Sequence, residues 1–100
     1  RNDAGDAYRD MCAAVAIISE KKEITQNIAK VAEAINFIAI NQHEKMIRNQ
    51  ADENQMKEYV RIEKEITMLV QKGFIKTFDS LMNFIRKEWS EKYSPKVLSI

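Results

Sequence analysis

The scarcity of turn-forming residues constrains the fold of this chain more than any other feature. Its 100 residues include only two glycines and one proline, and Gly5 and Pro95 both lie near the ends. A β-sheet protein needs a turn every several residues, and glycine and proline are the residues that most often provide it. Helices are the structure that remains, so we predict an all-α protein.

The composition is that of a single globular domain. Hydrophobic residues make up 45% of the chain and charged residues 31%, with a net charge of +1. This balance is typical of folded rather than disordered chains, and the length is enough for one modest core. We predict one domain over residues 1–93 and an extended tail over residues 94–100, because the residue before Pro95 disfavours the helical conformation.

The spacing of apolar residues by three and four predicts four helices, near residues 4–20, 24–46, 53–72 and 74–92. A polar run over residues 19–23 separates the first two. Asp52 and Gln55 form the pattern of a capping box, which would start the third helix, and Gly73 suits the left-handed residue that follows a helix end. We predict an antiparallel up-down bundle of these four helices.

An alternative architecture follows if residues 19–23 and Gly73 do not interrupt the helices. Glycine inside a helix costs only about 1 kcal/mol, so the third and fourth helices could form one rod. The chain would then be a hairpin of two long helices that hides its apolar faces by dimerising.

Candidate catalytic residues are few. Cys12 is the only cysteine and His43 the only histidine. Cys12 lies among alanine and valine, which is typical of a structural residue, while His43 lies in a polar segment and lacks the Glu-x-x-His pattern of bundle metal sites. We predict no catalytic site, metal or cofactor. The rival hypothesis is an enzyme or ligand carrier whose internal pocket uses Tyr8, Cys12, His43 or Tyr59.

The acidic residues of the third helix are interpreted as solvated surface. Glu58, Glu63 and Glu65 are interspersed with basic residues. Arg61 and Glu65 are four residues apart, a spacing that places them on one helix face as a salt pair. Paired carboxylates for acid–base chemistry would need an apolar pocket, and nothing in this pattern predicts one.

The charge distribution narrows the class of partner. Residues 1–55 carry a net charge of −2 and residues 56–100 carry +3. Nucleic-acid binding requires a stronger basic field, because its affinity rests on several phosphate contacts. Apolar runs also fall well short of the roughly 18 residues that span a bilayer, so we do not expect an integral membrane protein. We expect an exported protein if Arg1 is a mature N-terminus, and a cytoplasmic one otherwise.

Four of the eight aromatic residues fall within residues 74–89. An amphipathic helix there could enter a groove on a partner protein or lie on a membrane surface. Phe84 is offset from the apolar stripe of this helix, so we expect it to be exposed. We predict a non-enzymatic binding module, such as an adaptor, inhibitor, secretion accessory or immunity-type protein, that binds another protein or a second copy of itself. The candidate partner-binding residues are Phe74, Phe84, Arg86, Lys87 and Trp89.

Overall fold

The computed structural model describes residues 3–42, 44 and 46–93, and over these residues the chain is helical without strands. The helices are α1 (Asp3–Ile17), α2 (Ile24–Ala39), α3 (Glu53–Gln71) and α4 (Phe78–Tyr93), with short 3₁₀ turns at Lys21–Glu23 and Ile47–Gln50. The four helices pack against each other as a bundle, which confirms the predicted fold class. His43 and the predicted tail over residues 94–100 lie outside the described residues.

The predicted interruptions between helices are confirmed. Asp52 Oδ1 accepts a hydrogen bond from the Gln55 backbone N–H at 2.7 Å, and Gln55 Oε1 accepts one from the Asp52 N–H at 3.0 Å. This reciprocal capping box begins α3. Gly73, with φ of +80°, follows the end of α3 in the left-handed conformation. The alternative hairpin of two long helices is therefore wrong.

Helix α2 ends at Ala39, seven residues before the predicted bound at residue 46. Asn41 takes the left-handed conformation, with φ of 61°, and the N–H groups of Ile40 and Asn41 both bond to the Asn36 carbonyl oxygen. Asparagine tolerates this conformation and ends helices much as glycine does. The predicted bound was wrong because apolar periodicity does not register such a local backbone change.

The neighbouring helix bounds also differ from the prediction. Helix α1 ends at Ile17 rather than at residue 20. Helix α4 begins at Phe78 rather than at residue 74, and Thr77 Oγ1 accepts a hydrogen bond from the Ser80 N–H at 3.1 Å, as an N-cap residue does. Phe74 therefore belongs to the α3–α4 loop, not to the amphipathic helix.

Ion pairs and hydrogen bonds define the direction of α3 and α4. Glu58, near the start of α3, lies 3.7 Å from Lys92 near the end of α4. One turn further along α3, Arg61 lies 3.4 Å from Glu88, which is one turn earlier in α4. The two helices therefore run in opposite directions.

The other helix directions follow in the same way. Asn27 donates to Ser19 Oγ at 2.9 Å beside the α1–α2 turn, while Tyr8 shares a cavity with Asn36 at the other end, so α1 and α2 are antiparallel. Helix α2 runs parallel to α4, because Lys30 lies beside Phe78 and the Ile38 carbonyl oxygen accepts from Lys92 at 2.8 Å. The helices alternate in direction along the chain.

This alternation gives the bundle two poles. The loop pole contains the ends of α1 and α3, the starts of α2 and α4, and the two loops that join them (residues 18–23 and 72–77). The connector pole contains the ends of α2 and α4 and the connector over residues 40–52.

The core fills the space between all four helices. Helix α1 packs mainly against α3, while α2 packs against α1, α3 and α4. No helix in the described part of the chain is long and apolar enough to cross a membrane. The largest buried apolar side chains are Met11, Val15, Val31, Ile35, Ile38, Tyr59, Ile62, Ile66, Leu81 and Ile85.

Candidate functional site

An apolar groove lies between α2 and α4, with a volume of about 440 Å³. Helix α2 supplies one wall and helix α4 the other. Ala34 has only a methyl side chain, which leaves room between the two helices. We call this the α2–α4 groove, and its lining residues are Lys30, Glu33, Ala34, Phe37, Met82, Ile85, Arg86 and Trp89.

Two exposed aromatic residues face each other across this groove from different helices. Phe37 and Trp89 are among the large hydrophobic side chains that remain exposed, although Ile85 beside them is buried. Most of the apolar surface of both helices is used for the core, and these two rings lie at its edge with 37% and 39% of their surface exposed. An apolar groove with aromatic side chains at its edge is typical of sites that receive a helix of a partner.

Polar contacts hold Trp89 in one orientation. Its Nε1–H donates to Asn41 Oδ1 at 2.8 Å, and its ring centroid lies 6.0 Å from that of Tyr93. Tyr93 in turn donates to the Ile38 carbonyl oxygen at 2.6 Å. The left-handed residue that ends α2 therefore also positions the indole at the end of the groove.

Charged side chains border the groove at its edges. Lys30 on α2 and Arg86 on α4 also both line an adjoining pocket. Glu33 is the acidic residue of the groove lining. Arg86 donates to Asn83 Oδ1 at 3.2 Å, which orients the guanidinium, and neither cation forms an ion pair with another described residue.

The structure separates the five residues that the sequence suggested as a partner-binding site. Trp89 and Arg86 line the α2–α4 groove, whereas Lys87 is exposed outside its lining. Phe74 lies at the loop pole with 74% of its surface exposed. Phe84 was expected to be exposed, but it is half-buried and packs against the core, because its offset from the stripe is small enough to reach the core edge.

Sequence reasoning missed the α2 side of the groove. Phe37 and Lys30 were not suggested as binding residues, because all five candidates were taken from residues 74–89. Phe37 follows Ile35 and precedes Ile38, both fully buried, and one helix cannot direct all three of these side chains into the same core. This excess of apolar residues over what one helix face can bury was the feature of the sequence that could have indicated an exposed Phe37.

A second cluster, the Arg48 cluster, lies beside the connector and contradicts the interpretation of Glu63 as solvated surface. Glu63 is completely buried, and both of its carboxylate oxygens accept hydrogen bonds from the Arg48 guanidinium. The guanidinium carbon lies 4.5 Å from the Tyr59 ring centroid and 5.3 Å from that of Tyr8. Tyr59 completes the cluster by donating to Asn36 Oδ1 at 2.5 Å.

Burial changes the pKa values of the titratable side chains in and beside this cluster. It raises the pKa of the Glu63 carboxyl, while the hydrogen bonds from Arg48 act in the opposite direction. Burial also raises the pKa of Tyr8, of Tyr59 and of the Cys12 thiol. Cys12 is half-buried against the core, so its thiolate is disfavoured and it is poorly suited to nucleophilic attack.

The rival hypothesis of an internal pocket draws some support from this cluster. Tyr8 lines a cavity of about 620 Å³ between α1, α2, α3 and the connector, and the Arg48 guanidinium lies beside both Tyr8 and Tyr59. Neither Cys12 nor Tyr59 is among the residues that line this cavity. However, Glu63 is already paired with Arg48, and Tyr59 with Asn36. The cluster is best explained as the contact that holds the connector against α3. Among the described residues, no three His, Cys, Asp or Glu side chains converge as they would to bind a metal ion.

Comparison with known proteins identifies no relative of this chain. No protein-family model, no curated protein and no solved structure matches this chain.

Proposed function

We propose that this protein is a binding module whose α2–α4 groove receives an amphipathic helix of a partner protein. The observation that carries the proposal is the pair of exposed aromatic residues, Phe37 and Trp89, on opposite walls of an apolar groove. Aromatic side chains are enriched among the residues that dominate binding energy at protein interfaces.

The dimensions of the groove favour a short helical segment. Its α2 wall extends from Lys30 to Phe37, which is about 10 Å at the rise of an α-helix. Two turns of a partner helix have this length. The partner would place apolar residues at positions i, i+3 or i+4, and i+7 against Phe37, Met82 and Trp89, as helices that bind in grooves do.

The charges at the edges specify which helix fits best. Lys30 and Arg86 outnumber Glu33, so the groove favours acidic residues beside the apolar stripe of the partner. Because these charges lie at the edge, they are expected to affect the association rate and the choice of partner more than the total affinity. Fixed presentation of Trp89 reduces the entropy that binding costs.

A fluorescence titration tests the proposal, since Trp89 is the only tryptophan of the chain. The ligand is a designed peptide of about 14 residues, or four helical turns, with leucines on one face and glutamates beside them. We expect a saturable change in the Trp89 emission. Phe37→Ala should weaken binding by about tenfold, the effect typical of losing an aromatic anchor.

Two controls make the result specific. Phe74→Ala removes an equally large exposed ring at the loop pole and should leave peptide binding unchanged. A matched peptide with lysines in place of the glutamates should bind more weakly. Equal binding of the peptide by wild type and Phe37→Ala would overturn the proposal. Concentration-dependent dimerisation that Phe37→Ala abolishes, measured by sedimentation, would also overturn it by assigning the groove to a second copy of the chain.

A further inference from the structure

The loop pole displays the two most exposed large hydrophobic side chains of the described residues. Phe74 is 74% exposed and Ile17 is 72% exposed. They are far apart in the chain, and they lie at the same end of the molecule because α1 and α3 run in the same direction. Neither residue lines the α2–α4 groove, so this surface is separate from the proposed helix-binding site.

The backbone holds Phe74 in its outward position. The N–H groups of Phe74 and Ile75 both bond to the Leu69 carbonyl oxygen, at 2.9 Å and 3.1 Å. Gly73 reverses the chain, and Ile75 is buried, so consecutive side chains of this loop face opposite ways. Phe74 is thus presented by an anchored loop, not by a frayed helix end.

Four exposed lysines lie at the same pole as these apolar residues. Lys21 and Lys22 lie in the first loop, Lys72 and Lys76 in the second, and all four are exposed. None forms an ion pair with another described residue. Glu20, Glu23 and Asp79 lie nearby along the chain, so the pole keeps a small excess of positive charge.

We propose that the loop pole docks on the surface of a bilayer that contains anionic phospholipids. Ile17 and Phe74 would enter the boundary between headgroups and acyl chains, while the four lysines would contact lipid phosphates. Peripheral membrane binding combines these two contributions, apolar insertion and attraction between basic residues and anionic lipids.

The shape of the pole favours a membrane over a protein as the partner. Two short loops and four helix ends form this surface, and Ile17, Phe74 and the four lysines are exposed on it. A flat, deformable surface accepts such protruding side chains, whereas a protein partner would need a matching pocket for each. The amphipathic helix that was considered as an alternative membrane contact does not provide this surface, since Leu81 and Ile85 of its apolar face are buried.

Vesicle co-sedimentation with the full chain provides the first test. We expect binding to phosphatidylcholine vesicles that contain about one third phosphatidylserine, weaker binding to phosphatidylcholine alone, and loss of binding as salt concentration rises. The double variant Ile17→Ala/Phe74→Ala should bind at least about fivefold more weakly. Phe37→Ala, which removes an exposed ring from the groove, is the matched control and should bind like wild type.

Tryptophan fluorescence then locates the contact. In the variant Phe74→Trp/Trp89→Phe the only indole lies at the loop pole, and we expect its emission to shift to shorter wavelength when anionic vesicles are added. Wild-type Trp89, near the connector pole, should show no such shift. Far-ultraviolet circular dichroism checks that each variant is folded.

Three outcomes would overturn the proposal. The first is failure of the wild-type chain to bind anionic vesicles. The second is vesicle binding that Ile17→Ala/Phe74→Ala leaves intact. The third is an emission shift of Trp89 in the wild-type chain with no shift of the indole introduced at position 74 in the variant, which would assign membrane contact to the α2–α4 groove instead.

Discussion

At the scale of single residues, the most consequential interaction is the contact between Arg48 and Glu63. A carboxylate that is completely removed from water is stable only when a cation and hydrogen bonds compensate it. Arg48 provides both from a 3₁₀ turn in the connector, with 28% of its side chain still exposed. The aromatic rings of Tyr8 and Tyr59 lie beside the guanidinium and orient it.

Breaking this pair from one side should cost more stability than removing it completely. We expect Arg48→Met to lower the free energy of unfolding by about 3 kcal/mol at pH 7, because Glu63 is left buried without a counter-charge. The double variant Arg48→Met/Glu63→Leu should recover part of that loss. Urea denaturation of both variants measures the difference, and a double variant no more stable than the single one would contradict it.

The same single variant should respond to pH in a defined direction. Burial raises the pKa of Glu63 above that of the unfolded chain, about 4.3, and loss of Arg48 removes the opposing effect. Between the unfolded and folded pKa values the folded protein binds more protons, so stability falls as pH rises through this range. Arg48→Met should therefore be more stable at pH 5 than at pH 7, relative to Arg48→Met/Glu63→Leu at the same two pH values.

At the scale of elements, the sequence was sufficient to predict where a helix begins or ends when one residue type determines the local backbone conformation. The capping box of Asp52 and Gln55 and the left-handed Gly73 each depend on residues close in the chain, and both were predicted. The end of α2 was not, since asparagine at position 41 has no obligatory conformation. Burial of Glu63 was also missed, because its partner Arg48 is 15 positions away in a segment that is polar except for Met46, Ile47 and Ala51.

The left-handed conformation of Gly73 leads to a prediction about the stability of glycine variants. A Cβ at this position would meet only Lys76 Cε, at 3.9 Å, so space is not what requires glycine here. The φ of +80° is unfavourable for any residue with a side chain, and we expect Gly73→Ala to lower the free energy of unfolding by about 1 kcal/mol. Gly5→Ala, within α1, should leave stability unchanged or raise it, since alanine favours helix.

Thermal and chemical denaturation distinguish these two glycine variants directly. If Gly73→Ala is as stable as wild type, the loop does not need the left-handed conformation, and the fixed position of Phe74 loses its support. Gly73→Asn should lie between wild type and Gly73→Ala in stability, because asparagine tolerates positive φ better than alanine does.

At the scale of the whole molecule, the exposed apolar residues belong mainly to two separate surfaces. Phe37 and Trp89 lie in the α2–α4 groove, towards the connector pole, while Ile17 and Phe74 lie at the loop pole. The sequence could not predict this division, because it arises from the direction of four helices and not from any one of them. Aromatic residues that seemed to form a single patch over residues 74–89 are distributed between the two surfaces and the core edge.

This separation predicts that the two surfaces act independently. In Phe37→Ala/Phe74→Ala, affinity for the helical peptide should equal that of Phe37→Ala, and affinity for anionic vesicles should equal that of Phe74→Ala. Distant substitutions that share no contacts usually add within about 0.5 kcal/mol. The same titration and co-sedimentation measurements check this, and a peptide affinity that depends on Phe74 would show the surfaces to be coupled.

The alternation of the four helices has a practical consequence for attaching other proteins. An even number of antiparallel helices returns the chain to the end at which it started, so Asp3 and Tyr93 both lie at the connector pole. A fluorescent protein or affinity tag joined directly to Asp3 or Tyr93 would be attached at the pole opposite residues 17 and 74. The bundle could also be inserted as a unit into a surface loop of a host protein, because its entry and exit share one end.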